Sequence, residues 1–255
     1  MKKTAFTLVE VLVVITILLI LMAIFLPAMG KAREQGRRTC CLSNMRQMVF
    51  AAQTYAQTYD DYYPVAHYRK RTDTTNFEYC WDFTTIKDRA TGKKKVVVGL
   101  LWEGQKVEKI QQCPSYKGES GTAADPYTGY NYNTSYIGHG ERESIETPAK
   151  VSQIRKPDKC AIFGDGQWSD GANKFMRAPL PWEGDEDNSL KAAGTQGYRH
   201  GGMTNVGWCD GHTSSQKDFY TDAVEAEKKK IEEYNKANRV KVGFLSSENS
   251  AYDLD

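Results

Sequence analysis

The longest hydrophobic run of the chain lies near its start. From Val11 to Met29 only Thr16 interrupts the apolar residues. About 20 apolar residues in a helix cross the roughly 30 Å hydrocarbon core of a bilayer. A secretory signal would have a shorter apolar stretch of about 7 to 15 residues, so a cleaved signal peptide is the less favoured interpretation. The run predicts a membrane-spanning helix over residues 6–30.

A second pattern follows the span, with apolar residues recurring at spacings of three and four. This periodicity is typical of one buried face of an amphipathic helix. It predicts that the helix continues through a stalk, residues 31–62, and ends before Pro64. At about 1.5 Å per residue the helix from Phe6 to Tyr59 would be about 80 Å long. The periodic residues are Leu42, Met45, Met48, Val49, Ala52, Tyr55, Ala56 and Tyr59.

Residues 63–217 show short apolar or alternating runs between Gly, Asn and Thr, which is typical of short β-strands and turns. We expect strands at Lys95 to Leu101, Cys160 to Phe163 and Asn205 to Cys209. The lysines before Val96 indicate an edge strand with protective charges. Residues 218–255 are predicted to form a surface helix and a tail with a frayed end. The fold class is therefore α+β, a long N-terminal helix packed on a small antiparallel β-sheet domain.

Composition excludes several functions. The net charge of the 255 residues is +2, so nothing favours nucleic acid as a partner. The six cysteines include no CxxC pair, which argues against a zinc ribbon and a thioredoxin-like motif. A disulfide between Cys80 and Cys113 is one candidate pairing, because both lie in a loop-rich segment. The sequence holds neither GxSxG nor HExxH, so we expect no enzyme and no resident cofactor.

A short basic leader stands before the span, in the order Lys2-Lys3-Thr4-Ala5-Phe6-Thr7-Leu8-Val9-Glu10. It resembles the N-terminus of type IV prepilins and of the pseudopilins of type II secretion systems. The resemblance implies a leader of residues 1–5, cut between Ala5 and Phe6 by prepilin peptidase, and N-methylation of Phe6. The family usually has Gly where this chain has Ala5. It also implies other pilin or pseudopilin subunits, an inner-membrane assembly platform and lipid as partners, in a filament for protein secretion or a related task.

Glu10 is the informative residue of the span, because a carboxylate inside a membrane segment is costly and usually functional. On a helix it lies one turn from Phe6, so it can reach the freed amine of its own subunit or, as in pilins, of a neighbour during assembly. Snorkelling to the interface is the alternative. Pro27 agrees with the family too, whose helix carries a proline that bends or loosens it in this region.

The orientation of the span rests on two opposing signals. Four basic residues, Lys31, Arg33, Arg37 and Arg38, follow the span and outnumber Lys2 and Lys3 in front of it. The positive-inside rule alone would therefore place the C-terminal domain in the cytoplasm. Large domains translocate largely regardless of flanking charge, and the leader is the more specific signal. We expect a single-pass inner-membrane protein whose globular domain lies in the periplasm or at the cell surface.

Near the C-terminal end, His200 is followed after nine residues by Asp210-Gly211. The pattern resembles the H-X9-DG segment of a pilin-like family abundant in Planctomycetes and Lentisphaerae. Members also carry segments like Ala32-Arg33-Glu34, Cys41, Asn44-Met45-Arg46-Gln47, Cys113-Pro114-Ser115 and Tyr130-Asn131-Tyr132-Asn133.

The H-X9-DG segment also predicts local structure. Asp210-Gly211 is typical of a two-residue type I′ turn joining two strands. His200 could then hydrogen-bond Asp210 across the hairpin, which we favour, or join Asp210 and His212 as a metal ligand. Calcium is a separate hypothesis, because major pseudopilins commonly bind it in a C-terminal loop. The oxygen ligands available for it are Asp165, Asp170, Asp185, Glu186 and Asp187, without EF-hand spacing.

Two functions remain in view. The first is a structural subunit of a type II secretion pseudopilus or a type IV pilus-like filament. The alternative is an extracellular module that binds polysaccharide and is anchored by the pilin helix, with Tyr130 and Tyr132 on an aromatic face. The competing interpretation of those tyrosines is that their rings pack in the core.

Overall fold

The computed structural model describes residues 7–103, 108–118, 129–140, 145, 147–168, 171–182, 184, 191–223 and 225–255. The first helix, α1, spans Leu8–Thr58, 51 residues or about 76 Å. Thr7 starts it with a capping box: its side chain accepts from the backbone N–H of Glu10, and the Glu10 carboxylate accepts from the backbone N–H of Thr7. The chain leaves the helix through Asp60 and Asp61, which adopt left-handed backbone conformations with φ of 51° and 71°.

The two halves of α1 have different surroundings. Residues 7–28 are all exposed, and Leu8 to Leu26 form the apolar part. This helix is long and apolar enough to cross a membrane, judged by length and composition. From Cys41 onward one face is buried against the domain. Met45, Met48, Val49, Ala52 and Ala56 are buried as predicted, Leu42 and Tyr55 are half-buried, and Tyr59 remains 40% exposed.

The first sheet is an antiparallel meander of four strands in the order β1-β2-β3-β4. Lys94 and Lys95 are exposed on β4, at the edge of this sheet, so the predicted edge strand with its charges is confirmed. Its strands are β1 (His67–Arg71), β2 (Thr75–Cys80), β3 (Phe83–Asp88) and β4 (Lys94–Val98).

A second sheet carries the core of the domain. Its strands include β5 (Asn131–Asn133), β6 (Ala161–Gly164), β7 (Phe175–Met176), β9 (Thr204–Trp208) and β10 (Thr213–Gln216). The order is β10-β9-β6-β5-β7, antiparallel except for the parallel pair of β5 and β7. A further pair joins β8 (Gln196–Gly197) to β11 (Val242–Gly243). The strands expected near Cys160 and Asn205 are thus β6 and β9.

The buried face of α1 packs on β6, β9 and β10. The strand β9 reaches the helix closely at Gly207, which has no side chain to hold the two apart. Aromatic rings fill the space between this layer and the first sheet: Trp81 lies 5.8 Å from Tyr132 and 5.4 Å from Phe163, between ring centroids. The α+β class and the long helix packed on a β domain are therefore confirmed.

The C-terminal segment is more ordered than the sequence indicates. The second helix, α2, spans Glu225–Ala237 and buries Ile231. The predicted frayed end is wrong. Tyr252 is completely buried, its hydroxyl accepts from the backbone N–H of Leu245 at 2.8 Å, and its carbonyl accepts from the Asn133 side chain at 2.8 Å. Burial of this aromatic ring removes a large apolar area from water, which stabilises the packed position of the tail.

Candidate functional site

Four side chains of metal-ligating type converge below the stalk helix: Cys41, Cys113, Asp165 and His200. All four are buried, and one ligand atom from each lies within 4.8 Å of the others. The two sulfurs are 3.7 Å apart, and Cys113 Sγ lies 3.6 Å from His200 Nε2. Asp165 Oδ1 lies 3.2 Å from Cys41 Sγ, and Asp165 Oδ2 lies 3.3 Å from His200 Nε2. The four groups form one closed cluster, which we call the Cys–His–Asp cluster.

Four separate parts of the chain supply these groups. Cys41 is on the first buried turn of α1, Cys113 follows a helical turn at Glu108–Gln111, and Asp165 follows β6 directly. His200 precedes β9, in a turn whose Gly201 and Gly202 take φ of 66° and 86°. Glycine adopts such angles without steric cost, so the turn can point His200 inward while the chain reverses into β9.

Polar groups surround the cluster and fix its orientation. Glu34 Oε1 lies 3.0 Å from His200 Nδ1 and accepts from Ser115 Oγ at 2.7 Å. The Nδ1 contact leaves Nε2 directed at the cluster. Tyr130 donates its hydroxyl to Cys41 Sγ at 3.2 Å.

Asp165 and Cys113 share a buried cation. The Arg199 guanidinium donates to Cys113 Sγ at 3.3 Å and to Asp165 Oδ1 at 3.2 Å. The backbone N–H of Asn205 donates to Asp165 Oδ2 at 2.7 Å. Arg199 therefore balances part of the negative charge that the cluster can carry.

Burial and these charges set the protonation of the thiols. Burial alone would raise the pKa of Cys113, but the hydrogen bond from Cys41 and the Arg199 guanidinium hold it well below its usual range. Burial raises the pKa of Cys41 well above its usual value, and the hydrogen bond to Cys113 and the Asp165 charge raise it further. One of the two sulfurs is thus prepared as a thiolate, the form that binds metals.

The acid and the imidazole shift in opposite directions. Burial opposes the charge on Asp165, yet Arg199 and His200 keep the pKa of its carboxyl below the usual value. Burial would also lower the pKa of His200, but its contacts with Asp165 and Cys113 raise that pKa to about 10.

The predicted contact between His200 and Asp210 is wrong. His200 is buried among Glu34, Asp165 and Cys113, whereas Asp210 Oδ1 lies 2.6 Å from Nδ1 of His212 in an exposed pair. His200 therefore joins neither Asp210 nor His212 as a metal ligand. Strand β9 separates the two residues of the sequence pattern, so His200 and Asp210 lie beyond opposite ends of that strand.

The turn at Asp210 and Gly211 also differs from the predicted type I′. Trp208 and His212 are hydrogen-bonded across the hairpin, which leaves a three-residue loop. Of the three loop residues, only Gly211 has a positive φ, of 99°, whereas a type I′ turn needs a positive φ at both central residues. A three-residue loop that ends in a left-handed glycine is the next most common hairpin connection.

The disulfide between Cys80 and Cys113 is not formed in the structure. Cys113 points into the cluster, where its sulfur contacts Cys41 instead. The calcium hypothesis also loses its first candidate, because Asp165 lies among thiols and an imidazole, and calcium prefers oxygen ligands. Asp170, Asp185, Glu186 and Asp187 lie outside the described residues.

The aromatic segment is part of the core. Tyr130 is 3% exposed and Tyr132 is fully buried, with its hydroxyl donating to the carbonyl of Pro64 at 2.9 Å. Neither ring is available to a sugar. The competing prediction, that these rings pack inside the domain, is confirmed.

At the N-terminal end, Ala5 and Phe6 lie outside the described residues, so the predicted cut and methylation stay predictions. Glu10 is exposed, and its carboxylate accepts from the backbone N–H and the hydroxyl of Thr7 at 2.8 and 2.6 Å. Pro27 lies inside α1, which is helical on both sides of it. The bend attributed to Pro27 remains a prediction.

Comparisons with known proteins bear on this architecture. Residues 1–26 match the family described as prokaryotic N-terminal methylation motif. The N-terminus is therefore of the prepilin type, and the long apolar helix that begins in it fits a type IV pilin-like protein. Residues 30–86 match a second family, described as protein of unknown function (DUF1559), a stretch that covers the stalk half of α1, the first two strands and most of the third. No curated protein and no solved structure matches the chain.

Sequence reasoning missed the Cys–His–Asp cluster as a unit. Taken singly, Asp165 suggests calcium, Cys113 a disulfide and His200 the hairpin, while Cys41 and Glu34 have no assigned role. A signal was present in the segments that carry the family resemblance. Glu34, Cys41, Cys113, Tyr130 and His200 all belong to those segments, and the structure brings them together.

Proposed function

We propose that this pilin-like protein is a structural subunit of a type II secretion pseudopilus or a type IV pilus-like filament. The observation that carries the proposal is the exposed apolar half of α1. Leu8 to Leu26 have no cover from the domain, although the same helix buries one face from Cys41 onward. A helix that is apolar all round needs lipid or other apolar helices around it. In the membrane lipid supplies that cover, and in a filament the same segments of other subunits do.

Glu10 distinguishes a filament subunit from a plain membrane anchor. The capping box with Thr7 gives the Glu10 carboxylate a local role at the start of the helix, and the cost of a carboxylate in the first apolar turns favours a further, functional role. In the unprocessed chain Thr7 holds this carboxylate at the start of the helix. Cleavage before Phe6 would place a new positive amine one residue before Thr7. The carboxylate can then bind the amine of its own or a neighbouring subunit, which aligns subunits in a stack.

The other parts of the proposal follow from the prepilin-type N-terminus. Prepilin peptidase would cut between Ala5 and Phe6 and methylate Phe6, and an inner-membrane assembly platform would extract the processed subunit. The globular domain would lie in the periplasm or at the cell surface. Arg38 is one of the basic residues that favour the opposite orientation, but it packs on the domain: its guanidinium donates to Ser215 Oγ at 2.9 Å. That basic residue therefore has a role in packing besides its position beside the membrane.

Polysaccharide binding has less support, because Tyr130 and Tyr132, which suggested it, are in the core. No observation in the described part of the chain favours it over assembly.

The test replaces Glu10 by Ala in the full chain and compares membrane insertion, processing and filament content. We expect Glu10→Ala to be inserted and cleaved, with its mature N-terminus at Phe6 in mass spectrometry, and to be strongly depleted from sheared filaments. Thr16→Ala is the matched control, because Thr16 is also polar within the apolar half and its hydroxyl donates within its own helix, to the carbonyl of Leu12. Normal incorporation of Glu10→Ala into filaments would contradict the proposed role.

A further inference from the structure

We infer that the Cys–His–Asp cluster binds one zinc ion through Cys41, Cys113, Asp165 and His200. This site goes beyond the proposed filament role and does not depend on it. Thiolate, imidazole and carboxylate are the three ligand types that proteins use for zinc. Four side chains of these types make a complete tetrahedral set. The chemistry therefore identifies the class of ligand as a borderline-soft divalent cation.

The spacing of the ligand atoms fits a tetrahedral centre. With Zn–S near 2.3 Å and Zn–N and Zn–O near 2.0 to 2.2 Å, tetrahedral angles place two sulfurs about 3.8 Å apart, sulfur and nitrogen about 3.6 Å apart, and nitrogen and oxygen about 3.3 Å apart. The corresponding distances are 3.7 Å for the two sulfurs, 3.6 Å for Cys113 Sγ to His200 Nε2, and 3.3 Å for His200 Nε2 to Asp165 Oδ2. Cys41 contacts the other oxygen of the same carboxylate, Asp165 Oδ1, at 3.2 Å, so the carboxylate reaches both the thiol and the imidazole.

Charge also balances in this arrangement. Two thiolates and one carboxylate carry three negative charges, and zinc with the guanidinium of Arg199 carries three positive charges. Arg199 contacts Cys113 and Asp165 from outside the ligand set, so its cation neutralises the charge that zinc leaves over. A buried group of charges that sums to zero avoids the large cost of an unpaired charge in the interior.

The groups around the ligands have the form of a second coordination layer. Histidine ligands of zinc usually donate their other ring N–H to a carboxylate, which fixes the tautomer. Glu34 does this for His200, and Ser115 in turn holds Glu34. Asp165 accepts the backbone N–H of Asn205, and Cys41 accepts the hydroxyl of Tyr130. Each of these three ligands is thus oriented by a neighbour that does not itself occupy the coordination sphere.

Burial of the set points to a structural site. All four ligands are at most 1% exposed, so a bound ion would have no position open to solvent or substrate. Catalytic zinc keeps such a position, and structural zinc does not. Contacts across the cluster join residues 72, 124 and 87 positions apart in the chain. The ion would fasten the stalk of α1 to three loops of the domain.

The experiment measures metal in the full chain, purified in detergent with metal-free, reducing buffers. Elemental analysis should find about one zinc per chain. Cys41→Ser and His200→Gln should lose it, whereas Cys40→Ser, a change at an exposed cysteine next to Cys41, should keep it. Glu34→Gln should weaken zinc binding about 10- to 100-fold, the usual effect of changing a group that orients a ligand.

A second measurement keeps the sequence unchanged, in case a ligand variant fails to fold. Zinc is removed with a chelator and replaced with cobalt(II). We expect the strong visible absorption of tetrahedral cobalt and a thiolate-to-cobalt charge-transfer band. The unfolding midpoint should fall on chelation and recover with zinc. The inference is overturned if the folded, reduced chain takes up neither ion. It is also overturned if the chain, isolated without reductant, carries a Cys41–Cys113 disulfide and contains no zinc.

Discussion

Gly207 of β9 and Val49 of α1 are in direct contact, so that a Cβ atom added to Gly207 would lie 2.8 Å from Val49 Cγ2. Real Cβ atoms essentially never approach so closely, and valine has no flexible end to move aside. The contact sets the distance between the stalk helix and strand β9 of the second sheet. It lies in the same layer that positions Cys41 and His200.

We therefore expect Gly207→Ala to lower the free energy of unfolding by about 1 to 3 kcal/mol, as overpacking of a core does. Adding Val49→Ala should recover part of this loss, because it removes the atom that clashes. Gly36→Ala is the control within α1, since nothing lies within 4 Å of its added Cβ, and it should stabilise by up to about 1 kcal/mol. Denaturant unfolding of the full chain in detergent measures the single and double variants. If Gly207→Ala cost the same in the native chain and in the Val49→Ala background, the contact would be contradicted.

The buried position of Tyr252 leads to a second prediction. Tyr252→Ala should cost about 3 to 5 kcal/mol in unfolding free energy, the range for removing a large aromatic ring from a core. Tyr252→Phe keeps the ring and leaves the backbone N–H of Leu245 without its acceptor, so we expect about 1 to 3 kcal/mol. Asp255→Ala is the control, because its ion pair with Arg155 is exposed on both sides and should contribute less than about 1 kcal/mol. If Tyr252→Ala had no larger effect than this control, the tail would not be packed on the domain.

Asp61 leads to a prediction on pH. Its carboxylate accepts from Ser152 Oγ at 2.5 Å and from the backbone N–H of Ser152 at 3.0 Å, and these bonds lower the pKa of Asp61. A carboxyl with a lowered pKa in the folded state stabilises fully above its unfolded pKa of about 3.9, and this contribution is lost as the pH falls through the folded pKa. Asp61→Asn removes the charge and keeps a residue that tolerates the left-handed backbone.

The native chain should therefore be more stable than Asp61→Asn at about pH 6, and the difference should shrink towards about pH 3. Unfolding curves at both values measure it. A difference that is constant over this range would mean that the charge of Asp61 is not involved. Because the group is at the surface, we expect the effect to be small.

The sequence predicted those parts of the fold that depend on neighbours along the chain. The apolar run and the stripe from Met45 to Ala56 specify a helix and its two environments, since both patterns repeat with the helical period. Edge lysines on β4 and the hairpin of β9 and β10 are also local features. The parallel pairing of β5 with β7 is not local, because about 40 residues separate the two strands, and neither sequence carries a mark of its partner.

The cluster shows the same distinction most clearly. Each of its members has a separate interpretation when it is considered with its neighbours in sequence, and the spacing of His200 and Asp210 even indicates a contact that does not exist. Asp210 pairs with His212 instead, two residues away. Asp165 and Cys41 meet only because β6 packs beneath α1.

By itself, the sequence determined the prepilin-type motif at the N-terminus, the apolar half of the helix, the stalk and the α+β class. All of these follow from hydrophobic periodicity and from short motifs, which act over a few turns of chain. Only the tertiary structure decided that Glu34, Cys41, Cys113, Asp165 and His200 share one buried site, and that Tyr130 and Tyr252 belong to the core. The reason is physical: such contacts join residues far apart in the chain, and the packing of β6 and β9 on α1 brings them together.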